Sequence, residues 1–219
     1  LYKSQKFSEA ELISKKLVEV HPKVPFLYNL LGLILFAQGK NDEAIKYYEK
    51  GISIKSDYAM IYNNLGTVHK SKKNYVKAEN YYKKSIKLDN NLPETQNNLG
   101  TLYIALNKHT EAINSLKKSI SINPNFYSAH YNLGIIYKSL GKFEESKKSL
   151  NEAIRLYPQF YEAHRAFSQI NKYKINDNHI DIMKKLYDEN NINISGKLTL
   201  SFALGKAFDD IKDYDEAFQ

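Results

Sequence analysis

The sequence predicts an all-α solenoid of stacked helix–turn–helix units, and three observations carry that prediction. One short phrase returns at equal intervals: Asn64-Leu65-Gly66, Asn98-Leu99-Gly100 and Asn132-Leu133-Gly134, with Leu30-Leu31-Gly32 one step earlier. A period of this size marks units that bury their apolar faces only against neighbours. A small residue then follows each Gly at one constant offset, at Ala44, Ala78, Ala112 and Ser146. Gly inside a helix costs about 1 kcal/mol relative to Ala, so its return at one phase needs a packing reason. The spacing predicts close approach, Gly on one helix against Ala or Ser on the next. Composition agrees: 42% hydrophobic residues suffice for a core, and Tyr (18) and Phe (10) supply its bulk where Trp is absent.

The units fill one template. Residues 25–58 carry Tyr28, Leu31, Gly32, Leu35, Ala44 and Tyr48, with Ser56 near the end. Residues 59–92 carry Tyr62, Leu65, Gly66, His69, Ala78 and Tyr82, closing at Asn90. Residues 93–126 carry Gln96, Leu99, Gly100, Tyr103, Ala112, Leu116 and Pro124. Residues 127–160 carry His130, Leu133, Gly134, Tyr137, Ser146, Leu150 and Pro158. This pattern resembles the tetratricopeptide repeat, a helix–turn–helix unit of about 34 residues reading aromatic-x-x-Leu-Gly-x-x-Tyr, then Ala-x-x-x-Phe, then Pro. The resemblance implies a right-handed superhelix whose first helices line a concave groove, and a protein-interaction scaffold that holds an extended peptide there.

In chain order, residues 1–24 read as the second helix of an earlier repeat, since Ala10 and Pro22 keep the phase of Ala44 and Ser56. In the four full repeats, turns are predicted at Gly39, Lys73, Asn107 and Gly141. Gly and Asn suit a turn at positive φ, and Lys73 suits it less well. The second helices are predicted to start near Asp42, Tyr75, Thr110 and Phe143, and carry apolar residues at helical spacing, as in Ala44, Ile45, Tyr48 and Ile52. Pro25 and Pro93 open repeats, where a missing N–H does no harm. Residues 161–197 form a degenerate unit, slightly longer than the rest, with Ser168 in the Gly place. Within it, Tyr161 to Tyr173 reads as a first helix, and Asp177 as the cap of a helix through Asn190. A partial repeat at 198–219 resumes the period at Leu204-Gly205, with Ala217 again at the small-residue offset. The phase at both ends implies one continuous array that runs on past Leu1 and Gln219. It also predicts exposed apolar surface, and self-association, at its uncapped ends.

The C-terminal stretch adds a second resemblance. His164-Arg165-Ala166-Phe167-Ser168, Lys172-Tyr173, Asp177 and His179-Ile180, then Leu200 to Asp210 and Tyr214 to Phe218, resemble the linker of bacterial proteins that join tetratricopeptide repeats to a sulfotransferase. In such proteins a catalytic domain follows, with a phosphate-cradling loop for the donor PAPS. That resemblance implies an alternative function, a non-catalytic substrate-positioning arm of a larger transferase.

The residues themselves supply no catalytic constellation. Gly-rich phosphate loops, Gly-x-Ser-x-Gly and His-Glu-x-x-His are all missing from the sequence, so this chain is read as a non-enzyme and no cofactor or metal is implied. With no Cys there is no thiolate chemistry, which fits a reducing compartment; the expected localisation is cytoplasmic, and the C-terminal resemblance implies a bacterial one. His130 and His164 share the aromatic place, where packing explains them. No apolar run reaches the ~18–20 residues of a membrane span. The net charge of +8 is carried mainly by Lys; it reads either as solvated faces or as attraction to acidic partners. Lys15-Lys16, Lys83-Lys84 and Lys117-Lys118 form a stripe on second helices, but scarce Arg argues against nucleic acid.

The groove supplies the candidate site. The repeat positions that line it are Asn63, Asn64, Thr67, Lys70, Asn97, Asn98, Thr101, Tyr131, Asn132, Lys138 and Arg165. An Asn amide both donates and accepts, so it can pair with a peptide backbone whatever the side chain. The register Asn64, Asn98, Asn132 resembles the asparagine ladder in the repeats of O-GlcNAc transferase; the other reading is that Asn before Leu-Gly is simply common in this repeat. Lys is absent from the fifth position, held by Asn29, Asn63, Asn97, Tyr131 and Arg165, which departs from the carboxylate clamp of Hsp70/Hsp90 co-chaperones.

Overall fold

The computed structural model describes the backbone of residues 2–213 and the side chains of residues 6–213. Twelve helices and no strands occur among the described residues. They are α1 (Tyr2–Val20), α2 (Pro25–Ala37), α3 (Asn41–Ile54), α4 (Ala59–Ser71), α5 (Tyr75–Leu88), α6 (Pro93–Ala105), α7 (His109–Ile122), α8 (Tyr127–Ser139), α9 (Phe143–Leu156), α10 (Tyr161–Ser168), α11 (Asn178–Tyr187) and α12 (Ile194–Ile211). Two compact units result, unit 1 with α1–α6 and unit 2 with α7–α12, dividing after Asn107. Within them α2 packs on α3, α4 on α5, and α8 on α9.

The turns fall where the sequence puts them. Gly39, Lys73, Asn107 and Gly141 all have φ between 56° and 79°. At three of these, the amide after the left-handed residue reaches back to the last helical turn: Lys40 N to Leu35 O, Asn74 N to His69 O and Lys142 N to Tyr137 O, at 2.8–2.9 Å. That bond satisfies a carbonyl the helix end would otherwise orphan. Lys212, which follows Gly205 as Gly39 follows Gly32, takes the same conformation at φ 62°, and Asp213 N closes on Phe208 O. The left-handed turn thus recurs at the same offset from Gly205 as in the repeats. Ala217 lies outside the described residues.

The role of the repeated Gly needs a correction. A Cβ on Gly32, Gly66 or Gly134 would meet Tyr48, Tyr82 or Leu150 at 2.4–2.6 Å. The group that fills the notch is thus the large side chain one turn further along the second helix, rather than the small residue at the constant offset. Ala44, Ala78, Ala112 and Ser146 are fully buried beside it. At Ser146 the predicted partner also makes a direct bond, its Oγ donating to Gly134 O at 2.7 Å. In unit 1 the filled notches anchor a core of Leu31, Leu35, Ala44, Tyr48, Ile61, Tyr62, Leu65 and Val68.

The aromatic place has a hydrogen-bonding task as well. Tyr28 OH donates to Pro22 O and Tyr62 OH to Ser56 O, both at 3.0 Å. His130 Nε2 lies 2.9 Å from Pro124 O, and His164 Nε2 lies 2.8 Å from Pro158 O. In each case the ring closes on a carbonyl at the end of the preceding repeat. Tyr and His both carry a donor at the far tip of a ring, which is why either can stand there.

Past Ser168 the structure departs from expectation. The predicted first helix Tyr161–Tyr173 stops at Ser168, because α12 takes over the polar groups of the irregular stretch that follows. Ser168 Oγ donates to Ala203 O at 2.8 Å, Lys206 Nζ to Asn171 O at 2.6 Å, and Tyr173 N to Asp210 Oδ2 at 2.9 Å. Asp177 caps α11 as predicted, accepting from His179 N at 3.0 Å, but that helix ends at Tyr187 and not Asn190. Asn193 then caps α12 through Gly196 N. Tyr173, Ile180, Met183, Leu186, Leu200, Leu204 and Phe208 form the core of this part. At the other end, α1 leaves Leu12, Ile13 and Val20 exposed.

Candidate functional site

The face of unit 1 built by the first helices carries wired amides. Asn64 Nδ2 donates to Asn29 Oδ1 at 2.8 Å, Asn63 Nδ2 to Asn64 Oδ1 at 3.2 Å, and Asn98 Nδ2 to Asn63 Oδ1 at 3.0 Å. One amide chain thus runs across α2, α4 and α6. The wiring is crosswise, each Asn of the Asn-Leu-Gly phrase reaching the neighbouring position on the repeat before it. Asn97 is covered, at 8% exposure, whereas Asn63, Asn64 and Asn98 stay part-open.

Hydroxyls and one ammonium flank the amides. Thr67 Oγ1 lies 3.1 Å from Asn63 O and 3.2 Å from Tyr82 OH. Thr101 Oγ1 donates to Asn98 O at 2.9 Å and accepts from Lys70 Nζ at 2.5 Å. Burial pushes the Lys70 ammonium below the ordinary lysine range. Its partner is a neutral hydroxyl, so desolvation is not offset by an opposite charge.

The matching face of unit 2 has different chemistry. Tyr131 packs 4.7 Å from the Phe160 ring, and burial raises its phenol. Lys138 reaches Gln169 Oε1; burial, then the charge of Arg165, lowers its ammonium. The Arg165 guanidinium stacks 5.0 Å from the Phe202 ring, which is 57% exposed. Asn132 is part-open on α8. Sequence reasoning missed Phe202, although it precedes Gly205 just as Tyr131 precedes Gly134.

It also missed a buried relay. His164 Nδ1 and His179 Nε2 are 2.8 Å apart, and His179 Nδ1 lies 2.7 Å from Tyr173 OH. With both rings neutral, every proton has a place: Tyr173 donates to His179, His179 to His164, and His164 to Pro158 O. Burial, and the neighbouring His164, pull the His179 imidazole down to about 4, against the attraction of Asp177. The outer lysines are partly engaged: Lys15 with Glu11, Lys83 with Glu79, and Lys84 over the Tyr62 ring at 4.3 Å.

Three family models match the chain: Tetratricopeptide repeat over residues 24–91, TPR repeat over 100–141, and Tetratricopeptide repeat over 127–160. Together they span more than half of it. The chain belongs to the tetratricopeptide repeat family. Solved tetratricopeptide structures share its fold. A chain of the APC/C hetero-tetramer Cut9-Hcn1 superposes at TM-score 0.74 with 21% identity over 92% of this chain, which spans 40% of that one. Pseudomonas aeruginosa pilF gives 0.70 and 20%, covering 89% of this chain and 87% of its own. YrrB, a TPR protein with an unusual peptide-binding site, gives 0.58 and 18%, covering 94% and 95%. No curated protein sequence matches significantly. The tetratricopeptide fold is a scaffold suited to protein–protein interaction. No described helix is long and apolar enough to cross a membrane.

Proposed function

We propose that the first-helix faces hold an extended segment of a protein partner, with the amides of unit 1 engaging its backbone. The observation that carries this is the chain Asn98–Asn63–Asn64–Asn29. Each of Asn63, Asn64 and Asn98 uses one N–H within the chain and keeps a second, so the row is held in place yet can still donate. Preorganised donors of this kind reduce the ordering cost of binding. Thr67, Lys70, Asn97 and Thr101 extend the site in unit 1; in unit 2, Tyr131, Asn132, Lys138 and Arg165 are the corresponding candidates on its own first-helix face. Self-association through the exposed apolar residues of α1 belongs to the same scaffold reading. The second reading, a positioning arm for a sulfotransferase, rests on the resemblance of residues 161–219; a PAPS-binding assay on the intact protein decides it.

The test is a partner segment captured by the intact protein and titrated by calorimetry. Replacing Asn64, Asn98 and Asn132 together by Ala should weaken binding by about one to three orders of magnitude, at ~0.5–1.5 kcal/mol per lost pair. Lys83→Ala with Lys84→Ala should leave affinity nearly unaltered. Wild-type affinity in the Asn variant, with a steep salt-dependent loss in the Lys variant, would sink the proposal.

A further inference from the structure

We infer that unit 2 carries a separate binding site, at the seam of α7, α8 and α9, for an aromatic side chain presented on an acidic segment of a partner. The molecule supplies its own template. In the repeat 59–92, Tyr81 fills this seam, stacking 6.3 Å from Tyr62 and 5.3 Å from His69. In the repeat 25–58, Tyr47 lies in the same place, 6.5 Å from Tyr28. The residue equivalent to Tyr81 in the repeat 127–160 is Ser149, while His130 and Tyr137 stand where Tyr62 and His69 do. Where the ring is left out there is a cavity of about 480 Å³, lined by His130, Leu133, Tyr137 and Ser149 with Ile120 and Pro124.

That size suits a small aromatic ligand, and two ring walls remain to stack on it. The Ser149 hydroxyl is turned away, donating to Glu145 O at 2.9 Å, so the floor stays apolar. His130 is anchored by Pro124 O. Lys117, Lys148, Glu145 and Glu152 form the rim, and Arg155 pairs with Glu152 at 2.6 Å. At the rim Lys117 and Lys148 balance Glu145 and Glu152, and Arg155, outside the lining, occupies the Glu152 carboxylate and leaves the lysines in excess, in a chain of net charge +8. Acidic neighbours of the entering ring are favoured there.

The protein lacks Trp, so the fluorescence of a tryptophan probe reports binding without background. The probe is acetyl-Asp-Trp-Asp-amide. Its emission should shift to the blue with the wild-type protein, and Ser149→Tyr, which supplies the missing ring from within, should weaken binding about tenfold or more. The same probe should perturb the methyl resonances of Ile120 and Leu133 in the wild-type protein, a measurement independent of how the variant folds. Absence of binding, unmoved Ile120 and Leu133 methyls, or undiminished affinity in a folded Ser149→Tyr would overturn the site. Equal binding of acetyl-Asp-Leu-Asp-amide would overturn its aromatic character, and equal binding of acetyl-Lys-Trp-Lys-amide its preference for an acidic partner.

Discussion

The regular repeats and the stretch from Tyr161 to Ile211 use the same parts in different ways. In the repeats, a ring closes on the preceding carbonyl, a Gly admits a large side chain, and a left-handed residue turns the chain. In the later stretch the ring is His164, and its second nitrogen recruits His179 and Tyr173. Ser168 stands for the Gly and hands its hydroxyl to α12. Steric fit is thus replaced by polar contact, which makes this stretch sensitive to protons where the repeats are sensitive to volume.

Acidification tests that difference most strongly. The His179 imidazole is lowered in the folded state, so the unfolded chain binds more protons below its ordinary pKa. Stability from this group is complete above about pH 6.5 and is lost progressively as pH falls toward 4, by up to about 3 kcal/mol. Hydrogen exchange at pH 7 and pH 4.5 should show α10–α12 loosening first, and His179→Phe should flatten the dependence. Uniform loosening along the chain would erase the contrast.

Volume comes next. Gly66→Ala places a methyl 2.6 Å from the Tyr82 ring and should cost about 1–3 kcal/mol. Ser168→Ala removes a hydrogen bond without adding volume and should cost about 1 kcal/mol. Urea denaturation of both variants ranks them, and the reverse order would break the distinction.

A smaller effect separates two repeats that look alike. Tyr82 OH pairs with Thr67, whereas Tyr48 OH is buried with no partner among the described residues, because Leu33 stands where Thr67 does. Tyr82→Phe should therefore lose about 1 kcal/mol, while Tyr48→Phe should be neutral or stabilising. Thermal melts of the two variants should move apart. The smallest effect is at the turns: Lys73→Gly relieves a left-handed lysine at φ 59° and should gain about 0.5 kcal/mol after the entropy of Gly is counted. The same urea titration reads it as a small rise in midpoint.

The sequence disclosed whatever recurs locally. Leu-Gly at a fixed phase located the helix pairs, and the turn residues located their ends, because left-handed backbone restricts residue choice within a few positions. What it withheld depends on which distant group arrives. Tyr82, rather than Ala78, enters the notch of Gly66 only once both helices are packed. The crosswise pairing of Asn98 with Asn63 depends on how neighbouring helices stagger. Likewise α10 stops at Ser168, and the backbone that follows gives Asn171 O and Tyr173 N to Lys206 and Asp210 on α12, far along the chain.

The ring-to-carbonyl bond has one more consequence. The blocks with Tyr or His in the aromatic place bring a donor near their beginning that meets an acceptor near the finish of the block before, as Tyr62 and Ser56, or His130 and Pro124, show at their junctions. A block copied by gene duplication would thus arrive already matched to its own twin, without compensating changes at the joint. A Tyr block and a His block are interchangeable in the same way, since both offer a donor to the same oxygen. The bond always points backward along the chain, so a growing array can admit a new member only in the correct orientation.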